Sequence, residues 1–86
     1  MKVKIPTPLY SYTHHQPFVE ADGRTLHELT QDLDRRFPGI RFRMIDEQDQ
    51  IRQHIKFFVN GKQVFDLSQT IQSKDDVAIV QAFSGG

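Results

Sequence analysis

Only one stretch of this 86-residue chain has helical periodicity long enough to cover a sheet, and that limits the folds open to it. Thr25-Leu26-His27-Glu28 reads as a capping box: the threonine hydroxyl accepts from the backbone N–H of Glu28, and the glutamate reaches back to the Thr25 N–H. Leu26, Leu29, Leu33 and Phe37 then recur on one face, with Asp32, Asp34, Arg35 and Arg36 on the other. The two arginines sit at the carboxyl end, where the helix dipole favours cations. Pro38-Gly39 stops the helix. A single helix covers one face of a sheet and leaves the other open, so the pattern predicts a two-layer α+β domain.

The flanking segments read as strands. In residues 2–9, Val3 and Ile5 alternate with Lys2 and Lys4, and Pro6 and Pro8 predict that the strand frays or bulges in its second half. Residues 10–16 read as a turn and 17–20 as a short second strand, closed by Asp22-Gly23. Residues 40–53 mix Arg41, Arg43 and Arg52 with Asp46, Glu47 and Asp49, and read as a long loop that can hold a turn of helix. His54-Ile55-Lys56-Phe57-Phe58-Val59 is a strand, and Asn60-Gly61 favours a type I′ hairpin into Lys62-Gln63-Val64-Phe65. Leu67 and Ile71 anchor a turn, Lys74-Asp75-Asp76 is polar, and residues 77–83 form a last strand rich in β-branched residues. The order is ββαβββ. Connection chirality and the short hairpins place the first and last strands side by side and parallel. That is the β-grasp, or ubiquitin-like, fold: a mixed sheet of four to five strands with one main helix on one face. Residues 1–83 form the domain, and 84–86 a flexible tail.

Composition narrows the function. Eleven Lys and Arg balance eleven Asp and Glu, so no global field attracts nucleic acid or an anionic membrane. No cysteine is present, which removes disulfides, thiolate zinc sites and a cysteine nucleophile. No apolar run spans a bilayer, and Met1-Lys2-Val3-Lys4-Ile5-Pro6 lacks the apolar stretch of a signal peptide, so the expected location is the cytoplasm.

The carboxyl end carries the chemistry. Only Ser84-Gly85-Gly86 extends past the last strand. Two terminal glycines alone are often a frayed end. Aimed outward by a strand fixed in a sheet, however, two residues without Cβ can thread a narrow slot in a partner enzyme. If Val77 and Ile79 face the helix, then Ala78, Val80 and Ala82 face outward, joined by Phe58 from the preceding strand. An apolar run does not fix its own register, so the converse arrangement, Phe58 in the core and Phe57 exposed, stays open at this level. Exposed apolar patches on small domains mark protein partners.

From end to end the chain resembles the MoaD/ThiS family of ubiquitin-like sulfur carrier proteins. The resemblance rests on Val3-Lys4-Ile5-Pro6-Thr7-x-Leu9, Thr25-Leu26, Phe37-Pro38-Gly39-Ile40, Val59-Asn60-Gly61, and Asp75-Asp76-Val77-Ala78-Ile79 running into Ser84-Gly85-Gly86. It implies that an E1-like enzyme adenylates the Gly86 carboxylate with ATP and that a sulfur donor displaces AMP to leave a thiocarboxylate. It implies Gly85, Ser84, Phe83, Ala82, Val80 and Phe58 as partner-binding residues, with no cofactor held stably by the chain itself. The partners implied are the E1-like enzyme, a sulfur-accepting biosynthetic enzyme, and a metalloprotease or sulfurtransferase. The chain is then a carrier and co-substrate, not an enzyme. The Ile5-Pro6-Thr7-x-Leu9 opening looks most like carriers of the cysteine and thioacid-siderophore pathways. The alternatives within the family are the small subunit of molybdopterin synthase, which often carries prolines where this chain has Gln81-Ala82-Phe83, and the thiamine carriers, which look shorter. An alternative of another class is a ubiquitin-like protein modifier or interaction module.

Other residues read more plainly. His14-His15 lack the third and fourth ligands of a metal site, since His27 and His54 lie on other elements, so no metal site is expected. Asp46-Glu47-x-Asp49 lacks the glycine and closing glutamate of a calcium loop. Arg41, Arg43, Arg52 and Lys56 suggest a basic patch for an acidic partner or a phosphate, but the interleaved acids favour a neutralised surface. Tyr10 and Tyr12 read as edge packing, and the serines have no neighbouring base for a hydrolase triad.

Overall fold

The computed structural model of the chain describes residues 1–82. Five strands form one mixed sheet: β1 (Lys2–Lys4), β2 (Phe18–Glu20), β3 (Ile55–Val59), β4 (Lys62–Val64) and β5 (Val77–Gln81). Their spatial order is β2-β1-β5-β3-β4. β1 and β5 run parallel, pairing Val3 with Val77 and Lys4 with Ala78, and every other pairing is antiparallel. Helix α1 (Leu26–Arg36) covers one face. Under it Leu26, Leu29 and Leu33 meet Val3, Ile5, Phe57, Val77 and Ile79, all buried. This is the β-grasp arrangement expected from the element order.

The start of α1 follows the capping logic with one change. Thr25 Oγ1 accepts from the Glu28 N–H at 3.2 Å, but Glu28 Oε1 reaches one residue further back, accepting from the Arg24 N–H at 3.0 Å. The Thr25 position is committed elsewhere, since it bridges to Thr70 while Leu26 N and His27 N donate to Gln69 O and Leu67 O. The long-range ladder thus displaces the local reciprocal bond. Gly23 has a packing reason: a Cβ there would lie 2.4 Å from the Leu29 amide nitrogen.

Two expectations require correction. The first strand does not extend through residue 9. Its last sheet bond is Ile5 N to Pro17 O at 2.8 Å, after which Pro6 has no N–H to donate. The chain then winds into a 3-10 helix over Thr7–Tyr12, which buries Leu9 in the core. Residues 40–53 do hold the turn of helix that the sequence allowed, but they are not a surface loop. They contain helix α2 (Ile40–Met44) and a bridge between Ile45 and Ile51, and Ile40, Met44 and Ile45 are all core residues. The side chain of Asp34 supports this second helix, because Oδ1 accepts from both Gly39 N and Arg41 N at 3.1 Å. Gly39 itself adopts φ +97°, which an L side chain resists.

The hairpin turn is as expected, with Asn60 at φ +51° and Gly61 at φ +83°. Asn60 also clamps the turn to the start of β5. Its Nδ2 donates to Asp75 Oδ1 at 3.0 Å, its Oδ1 accepts from Asp76 N at 2.9 Å, and its own N–H donates to Asp76 O at 2.8 Å. The Gln72 N–H, followed by the Asn60 amide, holds the Asp75 carboxyl below the usual aspartate range. Asp32 is also held low. Partial burial opposes this, but the Asp22 N–H and the Arg35 and Arg36 guanidinium groups outweigh it.

Phe57 is fully buried and pairs with Ile79, while Phe58 is half-buried on the opposite face. Phe57→Ala is expected to lower unfolding free energy by about 3–5 kcal/mol, and Phe58→Ala by no more than about 1.5 kcal/mol, read from urea titrations. Because the Asp75 carboxyl is depressed in the folded state, its contribution is present above its unfolded value and lost as pH falls through its folded one. The urea midpoint should therefore fall as pH drops below about 5, and Asp75→Asn should make that fall shallower.

Candidate functional site: the open sheet face and the root of the tail

The sheet is covered on one face only, and its other face carries the apolar residues that the alternation placed there. β5 buries Val77 and Ile79 against α1 and turns Ala78 and Val80 outward. Phe58 lies directly across from Ala78, and Lys56 across from Val80. This decides the register that the sequence left open: Phe57 is the core residue and Phe58 the surface one. Phe18, from β2, completes an apolar groove with Phe58, Ala78 and Val80, edged by Lys2 and Lys4. The Lys2 ammonium lies 4.3 Å from the Phe18 ring centroid. Val80 is 40% exposed and Phe18 46%, so both present apolar surface to solvent.

β5 is held on both sides, by β1 and by β3, and the last bond that fixes it is Ala82 N to His54 O at 2.8 Å. The backbone is therefore anchored up to the four residues that follow. Of the sequence-predicted site, Phe58 and Val80 share the open face, with Phe58 opposite Ala78 near the start of β5, and Ala82 follows the strand's outgoing end. Phe83, Ser84, Gly85 and Gly86 lie outside the described residues, as does the proposed boundary at residue 83.

Sequence reading missed what surrounds this end. The 3-10 segment flanks the outgoing end of β5: Pro6, Thr7 and Pro8 line a depression with Ile79, Val80 and Gln81. On the other side Arg43, from α2, donates through Nε to the Tyr12 hydroxyl at 2.9 Å, next to Gln81. Tyr12 is thus a positioning partner for Arg43 as well as edge packing. The only signal for this neighbourhood was the i, i+4 spacing of Ile40 and Met44, which commits α2 to the core and carries Arg43 outward.

The remaining candidates separate cleanly. Arg41 is internal: Nε bonds Thr30 Oγ1 at 3.2 Å, and its terminal nitrogen contacts His27 Nδ1 and Asp49 Oδ1, each at 3.3 Å. Asp46 accepts from the N–H groups of Gln48 and Gln50, which accounts for its place in the acidic loop. His14 and His15 both adopt positive φ at an exposed turn. Among the described residues no three histidine, aspartate or glutamate side chains cluster as metal ligands. Nor, among them, is any helix long and apolar enough to cross a membrane.

A five-stranded mixed sheet with parallel first and last strands and one long helix across a face defines the ubiquitin-like class of β-grasp proteins. The chain belongs to the ThiS family, whose model matches residues 3–86 and so includes the terminal glycines. It is 34% identical over 89 residues to sulfur carrier protein CysO of Mycobacterium tuberculosis and of Mycobacterium bovis, covering 98% of this chain and 96% of the relative. Among solved structures, the Amycolatopsis orientalis BexX/CysO complex contains a chain that matches with a TM-score of 0.91 at 32% identity, covering 99% of this chain and 98% of that one. The small archaeal modifier protein 1 of Methanosarcina acetivorans shares the fold, with a TM-score of 0.81 at 19% identity and coverage of 99% and 94%.

Since Val80 makes no core contact, Val80→Asp is expected to change unfolding free energy by less than about 1 kcal/mol. The same substitution at Ile79 should unfold the domain, a contrast that thermal melts monitored by circular dichroism would record.

Proposed function

We propose that this chain carries sulfur as a thiocarboxylate on the α-carboxyl of Gly86, for a pathway of the cysteine or thioacid type. The single observation that carries this reading is the end-to-end match, through Gly86, to sulfur carrier proteins. The geometry supports it, because the central strand of a rigid sheet delivers the chain to residue 82 in a fixed direction.

The chemistry follows from the reacting group. A carboxylate is a poor electrophile, so an E1-like enzyme first joins a Gly86 carboxylate oxygen to the α-phosphorus of ATP, releasing pyrophosphate. A sulfur nucleophile at the oxidation level of sulfide then attacks the carbonyl carbon, the C–O bond to AMP breaks, and the thiocarboxylate remains. Its sulfur is the nucleophile that a second, sulfur-accepting enzyme uses. The chain binds ATP only through its partner and supplies the carboxyl and the docking body, while catalytic groups belong to the enzymes it visits. Gly85 and Gly86 thread the enzyme's slot, and Phe83 and Ser84 sit at its mouth. The apolar groove of Phe58, Ala78 and Val80 docks against the enzyme's surface.

Co-expression with an E1-like enzyme and a sulfide source tests this by intact mass. The expected product gains the difference between one sulfur and one oxygen atom. Deleting Gly86 should abolish that product, and Val80→Asp should reduce its yield without unfolding the carrier. Adducts on lysines of other proteins, with no thiocarboxylate, would instead identify a ubiquitin-like modifier.

A further inference from the structure

The chain has no net charge, yet the cations around the root of the tail are not neutralised. Among the described residues every arginine of α1 with a carboxylate contact meets Asp22 or Asp32, and Arg41 meets Asp49. Arg43, Arg52, Lys56 and Lys4 have no carboxylate within ion-pair distance among those residues. Arg43 spends one N–H on the neutral Tyr12 hydroxyl. Arg52 donates to the Phe42 carbonyl at 2.7 Å and stacks on the Phe42 ring at 4.5 Å, which fixes its guanidinium without offsetting its charge. Lys56 is exposed opposite Val80, and Lys4 is exposed opposite Ala78.

Three of these residues border β5 directly, and Arg52 is linked to it through β3. Arg43 lies beside Gln81, and Lys4 borders the neighbouring depression that Val80 and Gln81 line. Arg52 and Lys56 line a third depression with Ile55, the residue paired with Gln81. None of the three depressions has an aspartate or glutamate in its wall. The acids closest in sequence are otherwise engaged: Asp46 binds backbone N–H groups and Asp49 binds Arg41, which leaves Glu47 as the exposed carboxylate of that loop. Of the patch read from the sequence, Arg41 is paired with an interleaved acid as expected, whereas Arg43, Arg52 and Lys56 make no ion pair among the described residues.

We infer that Arg43, Arg52, Lys56 and Lys4 form a basic collar around the root of the tail, which steers the carrier tail-first onto an enzyme whose slot mouth is ringed with carboxylates. Collar and apolar groove are continuous, since Lys4 and Lys56 flank Ala78 and Val80. The matching surface on the enzyme is thus apolar at its centre and acidic at its rim. A symmetric pairing of two copies through this face would bring collar against collar, which like charge opposes. A collar of like charge acts on encounter more than on the final affinity, and it weakens as salt screens it.

This inference rests on the sulfur-carrier reading, and the experiment separates the two. The probe is the E1-like enzyme that yields the thiocarboxylate in the mass test, with association to the full-length carrier followed by stopped flow. Arg43→Glu with Lys56→Glu is expected to slow association about tenfold at low salt, and by much less at about 1 M, where the screening length is about 3 Å. Lys74→Glu with Lys62→Glu, away from the collar, makes the same change in net charge and should slow association less than twofold at either salt concentration. Arg43→Gln should give an intermediate rate, and is the milder variant if the reversal perturbs the fold. Equal slowing by the two double variants would mean that net charge alone matters and would overturn the collar, as would a salt-independent loss. Failure of wild-type carrier to form any thiocarboxylate would instead overturn the function on which the inference depends.

Discussion

The parallel pairing of β1 with β5 is the constraint on which the rest of this molecule depends. Strands adjacent and parallel in one sheet cannot be joined by a tight turn, so the chain between them must cross over and cover a face. It does so with α1, and the leucines of that helix close over Val3, Val77 and Ile79. Because β1 takes one side of β5, the β3–β4 hairpin takes the other, and β5 becomes the central strand. A central strand has hydrogen-bonded neighbours on both sides, so its direction is the most firmly determined in the sheet.

The same arrangement leaves one sheet face uncovered. With a single long helix, the domain buries Phe57 and exposes part of Phe58, and the alternation along β5 does the same with Ile79 and Val80. An open face is a cost for a domain this small, and it becomes useful when another protein covers it. The apolar groove runs along the first four residues of β5, from Val77 to Val80, on the face that α1 leaves open. The lysines that edge the groove keep it hydrated in the free protein and add charge to the encounter.

Much of this was legible in the residues. The capping threonine, the leucine spacing of α1, the Asn60-Gly61 turn and the alternation in β1 and β5 are local signals, and each is set by interactions within a few residues. Where local signals competed with distant ones, the reading failed in an explicable way. Glu28 bonds Arg24 rather than Thr25 because the 67–71 segment ties down the helix start. Residues 40–53 looked like a loop because their charges obscured three core residues, and α2 is held by Asp34 and by burial more than by its own five-residue propensity.

By itself the sequence determined the element order, the two-layer class and the half-buried strands. It could do so because hydrophobic period, capping and turn preference act over short distances. Only the tertiary structure decided which of two adjacent phenylalanines enters the core, since register depends on the strand opposite. It alone brought Tyr12 to Arg43, thirty-one residues apart, and set Lys56 opposite Val80 of β5. Charges that cancel along a chain need not cancel in space, because folding sorts them by which side chains find partners and which do not.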